Sequence, residues 1–532
     1  MADQVLIVGA GPTGLTAALE LSRLGVSVRI IDRQPGPSTT SRAIGVQART
    51  LELLQLRGLS EELVRLGNPG LAGSVYGGGK RVFRLDFTQI DSRYHYLLFV
   101  SQAETEQVLR EAIEKRGVVV EWGVELIGLS QDMLSHDASP VKVVLRHADG
   151  RLEQAQASYL ISAEGAHSMV RATLDLQFEG KTLDEQYALG DLHMDGDLAE
   201  TDFHIFSSEH GFMGLFPMGD RRFRLIASNP ISKPNKKTVP ALEELQAIYD
   251  QRSHIPARFR DMGWSSWFRI NSRMVSRLKV GRLLLGGDSA HIHSPAGAQG
   301  MNTGIQDMIN LSWKLALVLK GQAPASLLDT YEQDRLPVMR NVLTKTEGLT
   351  GIIGSENPIL RDLFNHLGPW IGGAHWVQEI STARMSQIAL GYRDSPLSAN
   401  HAHGGGLHAG DRVPDMPVRC RSDDGNGDGW EDRALFALLD PSRFVLLLVQ
   451  PPEVSAAPAK LRDAVRPWGD LIRVVELASK PDEMDRARFE AAFGRSGGVF
   501  LVRPDGYLGF ADGGRAAPRH LDTYCRQWLA AS

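Results

Sequence analysis

Short apolar runs and glycine-rich turns alternate at the start of the chain. Val5–Val8 is an apolar run of strand length, the turn Gly9–Gly14 follows it, and apolar positions then recur with helical spacing from Leu15 to Leu24. A second segment of strand length, Val26–Ile31, ends at Asp32. The pattern predicts a strand, a helix and a second strand, which together make a βαβ unit.

The turn in this unit has the spacing of a dinucleotide-binding fingerprint. Gly9 suits the tight turn, Gly11 lets a pyrophosphate approach the backbone, and Gly14 lets the helix pack against the strand. Asp32 is placed for the hydroxyls of an adenosine ribose. A glycine-rich turn without a ligand is the alternative, but the two strands, the helix and the acidic residue all occur in the expected order.

A later segment indicates a second contribution to the same kind of site. The apolar run Leu283–Leu285 reads as a buried strand, Gly286–Asn302 as a loop, and Gly304–Leu319 as a helix. Asp288 can accept a hydrogen bond from a sugar-like hydroxyl. The glycine-rich helix entry offers backbone N–H groups without partners, so we expect an anionic or electron-accepting ligand there.

Between residues 185 and 275 the pattern changes to alternating apolar and polar positions, which is typical of half-buried strands. Gly214–Met218 and Phe223–Ala227 are predicted as a hairpin with its turn at Gly219-Asp220. From Ser395 to Asp432 a stretch rich in Gly, Asp, Pro and His is interpreted as a linker or long loop. Three buried strands separated by helical segments follow it. Further helices are predicted over Arg49–Leu66, Ala103–Lys115 and Ser326 to about Leu390.

These patterns predict an α/β protein of three domains. Residues 1–180 and 276–395 form a Rossmann-type nucleotide-binding domain with a helical extension, and residues 181–275 form an inserted antiparallel-sheet domain. Residues 396–532 form the linker and a small C-terminal α/β domain. A single dinucleotide fingerprint argues against an architecture with two tightly bound dinucleotides.

Composition narrows the class of protein. The formal charge of −5 over 532 residues gives no electrostatic footprint for nucleic acid. We find neither a membrane-spanning apolar stretch nor a secretory leader, so no membrane association is expected. Two cysteines, Cys420 and Cys525, indicate a reducing compartment. We therefore expect a cytoplasmic protein.

With these motifs the sequence resembles the FAD-dependent aromatic hydroxylases, the single-component flavoprotein monooxygenases related to para-hydroxybenzoate hydroxylase. It is similar over essentially its whole length to the branch with a C-terminal thioredoxin-like domain, which includes phenol, pentachlorophenol and polyketide-tailoring hydroxylases. The resemblance implies an FAD-binding domain, a substrate-binding antiparallel domain and a thioredoxin-like domain. The last of these lacks a CxxC pair and so has no dithiol chemistry.

The resemblance also implies a set of cofactor-binding residues. The ADP half of FAD is expected at the first motif with Arg33 beside it, the ribityl chain at the aspartate of Gly287-Asp288, and the flavin ring at the backbone amides that follow. Arg42 and Gln102 are expected to contact the cofactor, although a surface arginine and a helix cap are the alternatives. The full expected set is Gly9, Gly11, Thr13, Gly14, Asp32, Arg33, Arg42, Gln102, Asp288, Pro295, Gly300, Met301 and Asn302.

Four positions depart from the pattern of the family or of its phenol hydroxylase-like members. In the second motif Ser162 and Glu164 replace a glycine and an aspartate, and in the flavin loop Ala298 replaces a frequent glycine. Phenol hydroxylase-like members carry an aspartate at the position of Ile44, so a general base is missing or lies elsewhere. Titratable neighbours are His95, Tyr94, Tyr96 and His291, and none of them is assigned as the catalyst.

The chemistry implied by the resemblance is reduction of FAD by NADH or NADPH, formation of a 4a-hydroperoxyflavin with O2, and hydroxylation of a phenolic or polycyclic aromatic substrate. Met213, Phe216 and Met218 could face the substrate ring, although such residues are more often part of a core. The alternatives are the same chemistry on a non-phenolic target, as in Baeyer-Villiger oxidation or antibiotic inactivation, and a flavin binder without turnover. A homo-oligomer is possible.

Other motifs are predicted not to be functional. Gly494–Gly498 fits GxSxG, with Asp512 and His520 in hydrolase order, but it precedes a strand where a nucleophile elbow must follow one. Asp424–Gly429 begins like a calcium loop but has Leu435 where a glutamate is needed. No metal site is expected, because the histidines His401, His403 and His408, with His291 and His293, lack a complete ligand spacing.

Overall fold

The computed structural model describes residues 4–38, 43–130, 139–229, 239–292, 299–353, 375–402, 406–422, 429–449 and 458–531. Within these ranges the opening βαβ unit belongs to a sheet of six strands, parallel except at one edge. Helices pack on its faces, so its central strands are buried and apolar throughout. In spatial order the strands are Lys279–Val280, Leu283–Leu285, Tyr159–Ser162, Val5–Val8, Val28–Asp32 and Val120–Trp122.

The inserted domain is built on a larger sheet. Among the described residues it has eight strands, antiparallel except where Asp202–Ser208 runs parallel to Ala72–Gly77. The helix Leu242–Ser253 packs on one face. In spatial order the strands are His291–Ile292, Ala257–Val275, Phe178–Gly196, Arg222–Asn229, Gly211–Gly219, Asp202–Ser208, Ala72–Gly77 and Lys80–Asp86.

The predicted hairpin is confirmed, since Leu215 pairs with Leu225 in an antiparallel register. The sheet differs from the prediction at its edges. Residues 72–86 and His291–Ile292 contribute strands to it, although the sequence analysis assigns both segments to the nucleotide-binding domain. The sequence pattern does not predict this pairing, because the strands that complete the sheet come from distant parts of the chain.

Two small antiparallel sheets complete this part of the molecule. One contains Leu152–Ala157, Val141–Arg146 and Glu125–Ser130, and the other contains Gly45–Val46, Leu97–Phe99 and Asn68–Gly70. The second sheet lies between the nucleotide-binding and substrate domains, because Phe99 contacts aromatic rings of the eight-stranded sheet.

The C-terminal domain has a mixed sheet of seven strands within the described ranges. Two of these strands come from the stretch interpreted as a linker, Ala399–His401 and Pro417–Ser422, so that interpretation is wrong there. Polar residues mark them as loop in sequence, yet each pairs with a buried neighbour. The spatial order is Ala399–His401, Leu508–Asp512, Gly498–Val502, Phe444–Val449, Ile472–Ala478, Pro417–Ser422 and Glu431–Ala434.

The observed helices differ from the predicted ones mainly in where they begin and where they are interrupted. The predicted helix over Arg49–Leu66 is two helices, because Gly58 has φ +72° between them. The helix entering from the aspartate motif starts at Gly300, one turn before the predicted start. The α-helices are Pro12–Arg23, Ala48–Gln55, Ser60–Leu66, Gln102–Glu114, Met169–Thr173, Leu242–Ser253, Gly300–Leu319, Asp329–Ile353, His375–Met385, Pro458–Val465, Glu483–Phe493 and Ala517–Trp528. No described helix combines the length and apolar character that crossing a membrane requires.

Candidate functional site

The first glycine turn is packed so tightly that side chains are excluded at two of its three glycines. A β-carbon at Gly9 would lie 2.2 Å from the carbonyl oxygen of Ala163, and one at Gly14 would lie 1.8 Å from the carbonyl oxygen of Gly9. Gly9 also has φ +103°. Nothing lies within 4 Å of a β-carbon at Gly11. Gly9 and Gly14 therefore serve packing, and Gly11 leaves open space at the helix start.

Asp32 closes this turn from the second strand. Its Oδ2 accepts a hydrogen bond from Ala10 N at 2.8 Å, and its Oδ1 accepts one from Gln34 N at 2.8 Å. The carboxylate is partly exposed, and the neighbouring Arg33 is exposed. The predicted pair of the glycine turn and Asp32 is thus brought together by the fold.

The altered second motif forms a compact hydrogen-bonded cap. Glu164 Oε2 accepts hydrogen bonds from the hydroxyls of Ser162 at 2.9 Å and Ser168 at 2.6 Å. The backbone N–H groups of Met169 and Val170 donate to the same carboxylate at 3.1 Å each. The longer side chain of glutamate reaches the start of the helix Met169–Thr173, and the serine that replaces glycine is one of its donors. The two departures from the family pattern therefore fit each other.

We call Gly286–Ile292 the aspartate loop. Asp288 is exposed in a turn directly after the strand Leu283–Leu285, as the sequence predicts. Thr13 packs beneath this turn, because a β-carbon at Gly287 would lie 2.3 Å from Thr13 Oγ1 and one at Gly304 would lie 2.4 Å from the same oxygen. Thr13 thus links the first glycine turn, the aspartate loop and the helix Gly300–Leu319.

Sequence reasoning did not identify the groups that hold the aspartate loop from inside. Asp307 Oδ2 accepts hydrogen bonds from Gly287 N at 3.1 Å and His291 Nε2 at 2.7 Å, and Asp307 Oδ1 accepts one from Arg335 Nε at 2.7 Å. All three side chains are fully buried. Burial alone would raise the pKa of Asp307, but Arg335 and His291 outweigh it and lower the pKa to about 2. The available signal was the spacing of Asp307, Asn310 and Lys314, which places polar and charged residues along one side of a helix that is otherwise rich in apolar residues.

The start of the helix Gly300–Leu319 is fixed through Asn302. Its amide donates to Gly45 O at 2.8 Å and accepts from Gln47 N at 2.9 Å, so the side chain is used to hold the strand Gly45–Val46. Met301 is partly buried against an apolar cluster containing Ile305. A ligand contact through the backbone of Asn302 stays a prediction.

Gln102 is the first residue of the helix Gln102–Glu114. The helix cap is Ser101, in a capping box with Glu104, so the alternative that Gln102 is the cap is wrong. The Gln102 amide accepts from Ala43 N at 3.3 Å and donates to Glu106 Oε1 at 2.8 Å. Burial and the nearby charge of Asp32 raise the pKa of Glu106. Gln102 therefore lies at the same edge of the sheet as Asp32.

Two long helices of the described part of the chain begin at this site without a side-chain cap. Neither Pro12–Arg23 nor Gly300–Leu319 has a side-chain cap hydrogen bond or an acidic residue in its first turn within the described ranges. Such helix starts favour negative charge. With the open space at Gly11, this fits a bound dinucleotide such as FAD. Arg42, Pro295, Ala298 and His293 lie outside the described residues.

The predicted substrate residues do not share one face of their strand. Phe216 and Met218 pack toward the nucleotide-binding domain, and the Phe216 ring centroid lies 5.9 Å from that of Phe99 and 6.0 Å from that of Phe203. Met213 is fully buried on the opposite face, in the core under the helix Leu242–Ser253. Met213 and Phe216 therefore cannot line the same surface, because alternate residues of a strand point to opposite faces.

A buried ion pair adjoins Phe216 on the same face. Arg224 lies directly opposite Phe216 on one side and Asp191 on the other, and directly opposite residues share a face. Arg224 Nε and Nη2 donate to the two oxygens of Asp191 at 2.6 and 2.7 Å. The Arg224 side chain is fully buried, whereas 27% of the Asp191 side chain is exposed. The partly exposed carboxylate therefore lies on the same face of the sheet as Phe216, two strands away, with Arg224 between them.

The titratable neighbours named from the sequence are held by structural contacts. The Tyr94 hydroxyl donates to Ser60 Oγ at 2.8 Å, and burial raises its pKa. His95 Nδ1 lies 3.1 Å from Ile90 O. Burial also raises the pKa of the Tyr96 hydroxyl. His291 serves Asp307, as described above.

The structure describes parts of the motifs that were predicted not to be functional. Gly494–Gly498 lies before the strand Gly498–Val502, as predicted, although His520 Nδ1 and Asp512 Oδ2 are 2.8 Å apart. Across the described part of the chain, no group of three or more His, Cys, Asp or Glu residues is arranged to hold a metal ion. His403 and residues 424–428 of the calcium-like loop lie outside the described residues.

Comparison with known proteins identifies this architecture. A family model for an FAD binding domain matches residues 2–346, and one for the C-terminal domain of aromatic-ring hydroxylases matches residues 407–532. The chain is 35% identical to 6-methylpretetramide 4-monooxygenase of Streptomyces rimosus, over 95% of this chain and 90% of that protein. It is 31% identical to pentachlorophenol 4-monooxygenase of Sphingobium chlorophenolicum, over 95% and 93% of the two chains.

Solved structures agree with this result. The OxyS anhydrotetracycline hydroxylase from Streptomyces rimosus superposes with a TM-score of 0.78 at 28% identity, and the comparison covers 100% of both chains. The family models together with the relatives extend over both the nucleotide-binding and the C-terminal parts. This chain therefore belongs to the FAD-dependent aromatic hydroxylases and is a flavin-dependent aromatic monooxygenase.

Proposed function

We propose that this enzyme hydroxylates a phenolic or polycyclic aromatic compound that binds between FAD and the inner face of the eight-stranded sheet. The observation that carries the proposal is the aromatic cluster of Phe216, Phe99 and Phe203. Phe99 pairs with Gly45, which Asn302 joins to the helix Gly300–Leu319. The cluster is thereby connected to the start of the helix at which we place the flavin.

We assign the cofactor to the site described above. The open backbone at Gly11 would hold the pyrophosphate, Asp32 the adenosine ribose, and Asp288 the ribityl chain. The backbone amides at Gly300, Met301 and Asn302 would face the flavin ring. Gly9, Gly14 and Thr13 support this arrangement through packing, and Arg33 and Gln102 border it. When bound, FAD supplies hydride acceptance from NAD(P)H and the activation of O2.

The residues of the sheet orient the substrate and exclude water. Aromatic rings favour offset or edge contacts with a planar substrate, and their burial keeps the reacting face dry. Asp191, fixed by Arg224, would accept a hydrogen bond from a substrate hydroxyl at its exposed side. Ile44 occupies the position of the phenol hydroxylase aspartate, so the substrate hydroxyl would be oriented by Asp191.

The two relatives named above act, by their names, on 6-methylpretetramide and on pentachlorophenol. Both compounds therefore belong in the test. A cytoplasmic location is proposed as well, supported by two cysteines that are free and buried.

The test follows NADH and NADPH consumption by the FAD-loaded enzyme with a panel of simple phenols and polycyclic phenols under 18O2. We expect at least one aromatic compound to accelerate consumption and to gain one 18O atom. Peroxide is measured in parallel. Consumption that no aromatic compound changes, with all reducing equivalents recovered as peroxide, would contradict the proposal.

A further inference from the structure

Buried charged groups connect the C-terminal domain to the helix Gly300–Leu319. Asp307, Asn310 and Lys314 recur at intervals of three and four residues, so they lie along one side of this helix. All three side chains are buried. Burial of this many polar groups beside a cofactor site requires partners.

The partners come from a turn of the C-terminal domain, residues Arg503–Tyr507, which we call the C-terminal turn. Asp505 Oδ2 accepts hydrogen bonds from Asn310 Nδ2 at 3.2 Å and Trp313 Nε1 at 3.3 Å. Arg503 Nη2 donates to Asp334 Oδ2 at 3.0 Å, and Lys314 Nζ donates to the same oxygen at 2.8 Å. The C-terminal turn thus inserts between two helices of the nucleotide-binding domain.

The charges in this cluster balance. Asp334 and Asp505 are negative, Lys314 and Arg503 are positive, and each side chain is at most 2% exposed. Removing one partner of such a group leaves an uncompensated buried charge, which is strongly unfavourable. The four groups must therefore assemble together, and this fixes the C-terminal turn against the helix.

The network continues from this cluster to the aspartate loop. Arg335 follows Asp334 in the chain, and its side chain contacts Asp307. Arg335 Nη1 also donates to the Tyr392 hydroxyl at 2.9 Å. The Tyr392 ring stacks near Arg503, whose guanidinium carbon lies 5.1 Å from the ring centroid. Asp307 in turn accepts from Gly287 N. Contacts therefore run without a break from the C-terminal turn to the backbone of the aspartate loop.

A second connection reaches the other side of the site. Arg49 Nη2 donates to the carbonyl oxygens of Asp505 at 3.2 Å and Gly506 at 3.4 Å, and its guanidinium carbon lies 4.5 Å from the Tyr507 ring centroid. Arg49 is in the helix that follows the strand Gly45–Val46, which Asn302 holds. The C-terminal turn is thus attached on two sides of the proposed flavin position.

We propose that Arg503 and Asp505 are positioning residues for the cofactor: through Asp334, Arg335 and Asp307 they hold the aspartate loop in its binding geometry. The C-terminal domain then controls FAD affinity although it contributes no group to the flavin contacts assigned above. This inference rests on the FAD assignment made under the proposed function.

The test uses the full-length chain with D505N, which keeps the shape of the side chain and removes its charge. FAD dissociation constants are measured by titrating the apoprotein and following flavin fluorescence, and hydrogen exchange is followed in the peptide covering residues 283–292. We expect D505N to weaken FAD binding at least tenfold and to speed exchange in that peptide.

The matched control is E476Q. Glu476 is also buried in the C-terminal domain, but it pairs with Arg421 at 2.6 Å and Arg462 at 2.9 Å inside that domain. We expect E476Q to change the FAD dissociation constant by less than twofold at a similar loss of stability. Equal effects of the two variants on FAD affinity, or no effect of D505N, would overturn the proposal, as would weaker binding without faster exchange.

If D505N does not accumulate as folded protein, N310A takes its place in the same comparison. It removes one of the two bridges between Asp334 and Asp505 without changing charge, and Arg503 provides the other. None of these measurements involves an aromatic substrate. An enzyme that binds FAD but oxidises no aromatic compound would contradict the proposed substrate and leave this test intact.

Discussion

Thr13 Oγ1 fills the space that a side chain at Gly287 would need: a β-carbon there would lie 2.3 Å from this oxygen. Gly287 also has φ +56°, in the left-handed region. The threonine of the first motif and the glycine of the aspartate motif are thus complementary, although 273 residues separate them in the sequence. The two motifs form one site because each requires the other's shape.

This contact predicts the effect of G287A. The left-handed backbone alone costs about 1–2 kcal/mol for a non-glycine residue, and the clash with Thr13 adds to it. We expect a loss of at least about 2 kcal/mol in the free energy of unfolding of the apoprotein, measured in urea. Gly36 is the control, because it is partly exposed and a β-carbon there has nothing within 4 Å. G36A should change stability by less than about 0.5 kcal/mol, and a similarly small effect of G287A would show that the loop simply moves aside.

Ser162 and Glu164 are predicted to be energetically coupled. Aspartate at residue 164 is one methylene shorter and would lose the N–H donors of Met169 and Val170, each a hydrogen bond to a charged group. We expect E164D to cost about 1–3 kcal/mol. Because the Ser162 hydroxyl donates to this carboxylate, S162G and E164D together should cost less than the sum of the two, by about 1 kcal/mol. A double-mutant cycle in urea measures this coupling, and additivity would mean that the two departures are independent.

Opposite faces of one strand separate substrate recognition from core packing. F216A removes a ring from the proposed substrate surface, so we expect KM for an aromatic substrate to rise at least tenfold with more peroxide formed per NAD(P)H. M213A empties space in the core under the helix Leu242–Ser253 and should cost about 2–5 kcal/mol of stability with KM nearly unchanged. Steady-state kinetics and thermal unfolding of both variants show which face of the strand contacts the substrate and which face belongs to the core. The reverse pattern would place the substrate elsewhere.

Asp191 is predicted to select for a substrate hydroxyl. D191N keeps a side chain of the same shape but weakens the acceptor and removes the partner charge of Arg224. We expect kcat/KM to fall about tenfold for a phenolic substrate and much less for its methyl ether, which has no hydroxyl to donate. Both substrates are measured on the same variant, so a loss of activity from structural damage cancels in the ratio of their kcat/KM values. An equal loss for both would assign Asp191 to structure.

Asp307 makes stability depend on acid pH. Its pKa falls from the usual 3.8 to about 2 in the folded protein, so the folded state holds the charged form more tightly than the unfolded state. The resulting stabilisation, about 2 kcal/mol, is complete above about pH 5 and is lost progressively as the pH falls through the unfolded pKa toward 2. Unfolding free energies of the wild type and D307N between pH 6 and 2 test this. The difference between them should shrink toward low pH, and a constant difference would contradict the assignment.

The sequence by itself determined the local elements of the nucleotide site. Apolar runs, glycine spacing and Asp32 specify a strand, a turn and a helix through contacts within about 30 residues, so they can be read without the fold. The hairpin around Gly219 was predictable for the same reason. The nature of the C-terminal sheet as thioredoxin-like stays a prediction, and Arg42 and Pro295 remain untested members of the predicted site.

The tertiary structure decided what depends on pairing between distant segments. Strands at 72–86 joined the substrate sheet because of partners more than 100 residues away, and parity along the strand put Met213 and Phe216 on opposite faces. The sequence does not show that Asp307 and Arg335 are partners. In the structure both side chains are fully buried, so each needs the opposite charge of the other. Packing between elements is not encoded in any short window, since it arises when separate apolar faces and buried charges must be satisfied together.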